Sequence, residues 1–145
     1  MRAVVQRVSS ASVTIDGVVF GKIGAGLLLL VGIHRDDTEA DAKKLADRVV
    51  GMRIFNDENG KINLAVQAVG GSVLAISNFT VYGDASQRRP SFTQSAGFEV
   101  GSKLFDLFLA ELRKQTIQVE SGQFGADMQV ELVNDGPVTL VVDTR

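Results

Sequence analysis

The run AGLLLLVGI, from Ala25 to Ile33, sets four consecutive leucines between glycines and is the longest unbroken apolar stretch of the chain. A membrane-crossing helix needs about 20 such residues. The run is far shorter, so it reads as a strand buried inside a globular core, and the rest of the chain is organised around it. Upstream, SVTIDGVVF (Ser12–Phe20) places Asp16-Gly17 between two β-branched runs, the strongest short-range signal for a hairpin. Downstream, DDTEADAKKLADRVVGM carries Ala42, Leu45, Ala46, Val49 and Val50 at helical spacing behind acidic residues that suit a helix N-terminus.

Beyond that helix a short strand is expected at Arg53–Phe55, broken by NDENG (Asn56–Gly60). A second buried strand, GGSVLAISNF, starts at Ser72 or Val73. Val81–Gly97 shows no hydrophobic periodicity and reads as a long loop, of the kind that often carries function. From about Phe98 to Gln115, Leu104, Phe105, Phe108, Leu109 and Leu112 share one helical face. Strands follow near Ile117–Glu120, Met128–Val133 and Val138–Val142. The expected fold is a single α+β domain, with a mostly antiparallel, barrel-like sheet and two main helices.

Composition narrows the chemistry. The 145 residues are 45% hydrophobic and 22% charged, enough for one domain with a substantial core. There is no cysteine, which excludes disulfides, thiolate metal sites and a cysteine nucleophile. His34 is the single histidine, so a multi-histidine zinc site is impossible and a Ser-His-Asp triad would need that residue. The start MRAVVQRVSSASV lacks an apolar segment followed by a small-residue cleavage site, so no signal peptide is read and a soluble cytoplasmic protein is expected. A net charge of −2 argues against wholesale coating of nucleic acid, while leaving room for a local basic patch.

Polar chemistry gathers where VLAISNFTVYGD changes character, as Val73–Ile76 gives way to Ser77, Asn78 and Thr80 around Phe79. These residues read either as a strand-end turn whose side chains cap the backbone, or as a ligand site with a hydroxyl nucleophile or an oxyanion hole of backbone N–H groups. No base lies within the motif; Asp84 is the nearest acid. Arg88-Arg89, before Pro90, reads as a solvated pair or a phosphate contact. His34 reads as a capping or surface residue. In VNDGPVT (Val133–Thr139), Gly136-Pro137 lies between two strand-like runs, where a hairpin turn is the simplest reading.

Taken together, VVQRVSSASV, GAGLLLLVGI, RIFND, GGSVLAISNFTVYGD, RRPSF and FGADMQVELVNDGPVT occur in an order, over nearly the whole chain, that resembles the bacterial D-aminoacyl-tRNA deacylases. The Ser-x-Phe-Thr block joined to Asn-x-Gly-Pro-Val-Thr carries most of the likeness. Two positions depart from it, since the family's usual Ser-Gln-Phe-Thr-Leu reads Ser77-Asn78-Phe79-Thr80-Val81 here. Asparagine keeps the amide and shortens its reach by one methylene.

The resemblance implies a homodimer that hydrolyses the ester between a D-amino acid and the 3′-terminal adenosine of tRNA, and that also acts on glycine mischarged on alanine tRNA. It implies a cis Gly136-Pro137 bond, with that pair entering the partner's pocket to reject L-amino acids. Ser77, Phe79 and Thr80 are then catalytic largely through their backbone, and Thr80 holds the position once proposed as nucleophile. The competing family view uses the 2′-hydroxyl of the terminal ribose. Asn78, Arg7, Phe92 and Met128 complete the expected substrate-binding set, with Arg7 bracing the Gly-Pro loop. The aminoacyl-tRNA 3′ end is the implied partner, with no DNA, membrane, cofactor or metal. Two other classes stay open: a non-catalytic module that binds the tRNA 3′ end, and a threonine-dependent hydrolase of small esters or D-peptides.

Overall fold

The computed structural model describes residues 1–115 and 117–145. In chain order these form β1 (Arg2–Ile15), β2 (Val18–Ile23), β3 (Gly26–Gly32), α1 (Glu39–Gly51), β4 (Phe55–Asn56), β5 (Ile62–Leu64), β6 (Ser72–Ser77), a 3-10 turn (Phe79–Tyr82), α2 (Phe98–Lys114), β7 (Val119–Ser121) and β8 (Gln129–Asp143). The expected hairpin joins β1 to β2, with Asp16 and Gly17 both at positive φ, 51° and 78°. The length of β1 lets it serve three partners. It pairs β3 through Arg2–Val8 and β2 through Ala11–Ile15 along one edge, and β8 along the other.

The main sheet runs β2-β1-β3-β6-β7, with β8 added to β1. It is a mixed sheet: all three pairings of β1 are antiparallel, as expected for most of the sheet, while β6 lies parallel to β3 and β7 parallel to β6. The helices are the reason. Each of α1 and α2 carries the chain back to the end at which the preceding strand began, so the next strand must run in the same direction. The sheet also curls until its ends nearly meet: a Cβ at Gly21 of β2 would lie 3.1 Å from the Ser121 carbonyl oxygen of β7. This gives the near-barrel outline that the sequence suggests.

Burial on both faces explains the four leucines. Leu27, Leu29 and Val31 face the helices, joining Leu45 and Val49 of α1 and Phe105, Phe108 and Leu112 of α2. Leu28 turns the other way, into the barrel, to meet Val8, Val13, Leu74 and Ile76, with Leu30 packed at the margin of that cluster. A strand with two dry faces has no polar position to alternate with.

Three local expectations change. The short strand expected at Arg53–Phe55 is β4, at Phe55–Asn56, and its partner β5 has no counterpart in the sequence reading. The supposed loop opens with the 3-10 turn. The two strands expected around Gly136-Pro137 are the single strand β8, interrupted by a bulge: Gln6 pairs Thr139 while Val8 pairs Asn134, which expels Asp135–Val138 from the sheet. A proline is tolerated there because Asp135–Val138 have no register partner in β1.

Candidate active site

A cleft of about 530 Å³ opens at the carboxyl ends of the parallel strands β3 and β6. Leu30, Ile76, Met128 and Val130 bring the barrel's apolar interior to its surface, and Phe98, Gly101 and Phe124 form a wall from α2 and the segment beyond β7. Its polar end is Ser77, Asn78 and Phe79. None of the side chains lining it titrates. An apolar pocket with a few convergent polar groups is the usual form of a small-ligand site.

The polar end is shaped by how β6 stops. Asn78 N–H makes a last ladder bond to the Val31 carbonyl at 2.8 Å, after which the chain turns. The Asn78 Oδ1 then accepts from the Thr80 N–H at 3.2 Å and the Thr80 hydroxyl at 2.5 Å. This is an Asx turn, which an asparagine makes with its own backbone two residues on. The Val81 N–H closes on the Asn78 carbonyl at 3.2 Å and the Ser95 hydroxyl donates to the Phe79 carbonyl at 2.8 Å. The Phe79 N–H, by contrast, has no acceptor among the described residues. The turn therefore leaves one backbone donor without a protein acceptor, in a residue that lines the cleft.

Other candidates are placed differently. Thr80 and Phe92 do not line the cleft; Phe92 packs edge-on against Phe79, with ring centroids 5.3 Å apart. His34 Nδ1 accepts the Asp36 N–H at 3.1 Å and its ring meets Tyr82, so it acts as a local cap. Tyr82, the last residue of the turn, is buried, and burial, followed by the nearby carboxylates Asp143 and Asp37, pushes its phenol up to about 12. It stays protonated at neutral pH and is no base.

Arg7 and Gly136-Pro137 make a second constellation, outside this chain's own cleft. Arg7 is buried although charged. Its guanidinium donates to the Ile54 carbonyl at 2.8 Å and to the Asp135 carbonyl at 3.2 Å, and its Nε lies 3.4 Å from the Asp135 carboxylate. Asn134 Nδ2 staples the neck of the bulge, donating at 3.0 Å each to the Arg7 and Val138 carbonyls. The Gly136-Pro137 peptide is cis, and Gly136 has φ 122°. Sequence patterning alone does not single out Phe98, Gly101 or Phe124, although the stretch FGADM contains both Phe124 and Met128.

The family model described as D-Tyr-tRNA(Tyr) deacylase matches residues 4–143. A D-aminoacyl-tRNA deacylase of Desulfitobacterium hafniense is 52% identical over 146 aligned positions, covering 100% of this chain and 98% of that protein. One of Bacillus cytotoxicus is 52% identical with both chains covered completely, at 100%. Among solved structures, a c-Myc DNA unwinding element binding protein superposes with TM-score 0.95 at 36% identity, covering 100% of this chain and 99% of its own. A probable eukaryotic D-amino acid tRNA deacylase shares the fold at TM-score 0.84 and 17% identity, each chain covered to 97%. Matched by the family model from Val4 to Asp143 and by full-length relatives at about half identity, this chain belongs to the D-Tyr-tRNA(Tyr) deacylase family.

Proposed function

We propose that the protein hydrolyses the ester between a D-amino acid, or glycine, and the 3′-terminal adenosine of tRNA, and that it rejects the L-ester. The observation that carries this reading is a cleft with an unspent backbone donor and no titratable side chain. The Phe79 N–H is suited to polarise the ester carbonyl and to stabilise the oxyanion that forms on it. The apolar walls, Met128 and Phe124 among them, suit the adenine ring. Proton traffic then falls to the substrate, whose vicinal 2′-hydroxyl is the nearest group able to take part.

Rejection of L-esters is assigned to a second copy of the chain. β8 pairs with β1 only, and its apolar Val133, Leu140 and Val141 are exposed, which favours an interface between two copies along this strand. Gly136-Pro137, projecting from that same strand, then enters the partner's cleft beside its Ser77–Thr80 segment. Rigid backbone there blocks an L side chain without having to recognise each D side chain, and glycine, with no Cβ, passes. A cytoplasmic location accords with this substrate, and among the described residues no helix is long and apolar enough to cross a membrane.

The test is ester loss from matched D-Tyr-tRNA and L-Tyr-tRNA in the presence of a chelator. Rapid loss of the D-ester alone is expected. Equal rates would remove chiral selection, and protection of both esters would indicate a binding module instead. Turnover of a D-aminoacyl methyl ester at a comparable rate would favour the small-ester hydrolase.

Thr80 is expected to be dispensable. Its hydroxyl proton is engaged by Asn78 Oδ1 at 2.5 Å, its side chain does not line the cleft, and the cleft itself offers no base. Thr80→Ala should keep kcat within about tenfold of the parent. A drop beyond about a thousandfold with an intact fold would restore threonine as the nucleophile.

A further inference from the structure

The terminal adenosine and its amino acid fill the cleft, and the loop SQRRPSF is left without a role. Arg88 and Arg89 are exposed, and among the described residues neither side chain has a hydrogen bond or an ion pair. Most arginines of this chain behave otherwise. Arg2, Arg7, Arg48, Arg53, Arg113 and Arg145 each direct the guanidinium to an oxygen of the chain itself. The carboxylate within the loop does not neutralise the pair. Asp84 turns back to accept the Ser86 N–H at 2.9 Å, a bond that holds its carboxyl below the usual range.

The loop is not a loose tether. Asp84 and Ser91 close its neck with reciprocal backbone bonds of 2.8 and 2.9 Å. Its foot rests on the cleft wall: a Cβ at Gly83 would lie 2.8 Å from the Phe92 ring, and Phe92 packs edge-on against Phe79, which lines the cleft. Both rings keep exposed surface, 38% for Phe92 and 59% for Phe79. Two exposed, unpaired guanidiniums in the same loop as an exposed ring that packs on the cleft-lining Phe79 are the residue types that hold single-stranded nucleic acid, with arginine on phosphate and base on ring.

We propose that the Arg88-Arg89 loop and the Phe92 ring bind the single-stranded nucleotides immediately 5′ of the terminal adenosine, the arginines on their phosphates and the ring beneath a base. The proposal rests on the assignment of the cleft to the aminoacylated 3′ end and adds the contact that distinguishes a tRNA from a free aminoacyl nucleoside. Phosphate contacts of this kind position the strand and carry no sequence information, which suits an enzyme that must accept many tRNAs.

Two measurements test it. Anisotropy binding of an uncharged single-stranded ribo-oligonucleotide with a CCA end is followed against KCl for the parent and for an Arg88→Ala/Arg89→Ala variant. The slope of log affinity against log salt should fall by about 1.4, at about 0.7 for each phosphate that is no longer neutralised, and Arg88→Lys/Arg89→Lys should restore it. In steady-state kinetics, the ratio of kcat/KM on D-aminoacyl-tRNA to that on D-aminoacyl-adenosine should fall at least tenfold in the alanine variant, through KM. Phe92→Ala should lower oligonucleotide affinity without altering the salt slope.

An unchanged slope with an unchanged ratio would overturn the proposal. So would equal losses on both substrates, which would mean that the loop supports the cleft itself, or equal competition by duplex DNA of the same length, which would mean a general anion patch. If the parent binds the oligonucleotide through these arginines yet leaves D-esters intact, the strand contact stands and the deacylase reading fails.

Discussion

Alanine at Gly136 is expected to lower kcat/KM on the D-ester by about 100-fold and to narrow the preference for D over L, while the protein stays folded. The reason is local. Gly136 holds φ 122°, which L side chains rarely adopt, and a Cβ there would lie 2.9 Å from Arg7 Nη2, 3.0 Å from Val138 Cγ2 and 3.1 Å from the Val138 nitrogen. One of these is backbone and another belongs to a buried arginine engaged with Ile54 and Asp135, so little can give way without moving the bulge. A displacement of about 1 Å in a positioning element is enough to cost about 100-fold in rate. The loss should reach selectivity as well as rate, because a 10⁴-fold chiral preference needs about 5.4 kcal/mol at the transition state, and a loosened steric block yields before supplying it. Stopped assays on both esters, with thermal unfolding as the control, decide the matter. Parent-like activity and selectivity in a folded Gly136→Ala protein would show that the bulge takes no part in the reaction.

What the sequence discloses depends on how local the cause is. The Asp16-Gly17 hairpin and both helices follow from turn chemistry and periodicity within a dozen residues, and the structure has them where expected. The parallel pairing of β3, β6 and β7 joins segments separated by whole helices, and no short window of residues records it. β5 is only three residues long, too short for its alternation to register. Gly136-Pro137 looks like the end of two strands because a proline interrupts a ladder; only the pairing of β1 with both flanks reveals one strand with a bulge.

The site divides in the same way. Ser77 and Phe79 were legible from the abrupt change from apolar to polar residues at the end of β6, and both line the cleft. Phe98 and Phe124 reach it only through the packing of α2 and the chain after β7, and as isolated phenylalanines they resemble any core residue. The burial of Arg7 was equally hidden, since its acceptors lie 47 and 128 residues away. Asn78 is the instructive departure. Measured against a glutamine it looks merely shorter, yet that shortness lets Oδ1 reach the Thr80 N–H and hydroxyl at once.

A tRNA ending in 2′-deoxyadenosine and charged with D-tyrosine on its 3′-oxygen is expected to be hydrolysed at least about a thousandfold more slowly than the ribose form. Ester hydrolysis needs a nucleophile and somewhere for its proton to go, and general acid–base help is commonly worth about 10²–10⁴-fold. The cleft wall offers no carboxylate, imidazole, amine or phenolate for that purpose. Tyr82, the chain's single tyrosine and the last residue of the turn, is held protonated by burial, and the His34 Nδ1 already accepts the Asp36 N–H. The Thr80 hydroxyl is occupied by Asn78. On the proposed reading the protein supplies the Phe79 N–H and an apolar mould, which act on the carbonyl and on geometry. The missing hydroxyl function must then ride in on the substrate, and the ribose 2′-OH sits on the carbon next to the one that carries the ester oxygen, positioned at no entropic cost once the nucleoside is bound. Binding of the deoxy substrate should hold within a few-fold, measured as inhibition of the ribose substrate, so that the deficit appears in kcat. Turnover of the deoxy ester at the ribose rate would return the search to a protein nucleophile, with Thr80 and Ser77 as the hydroxyls to test.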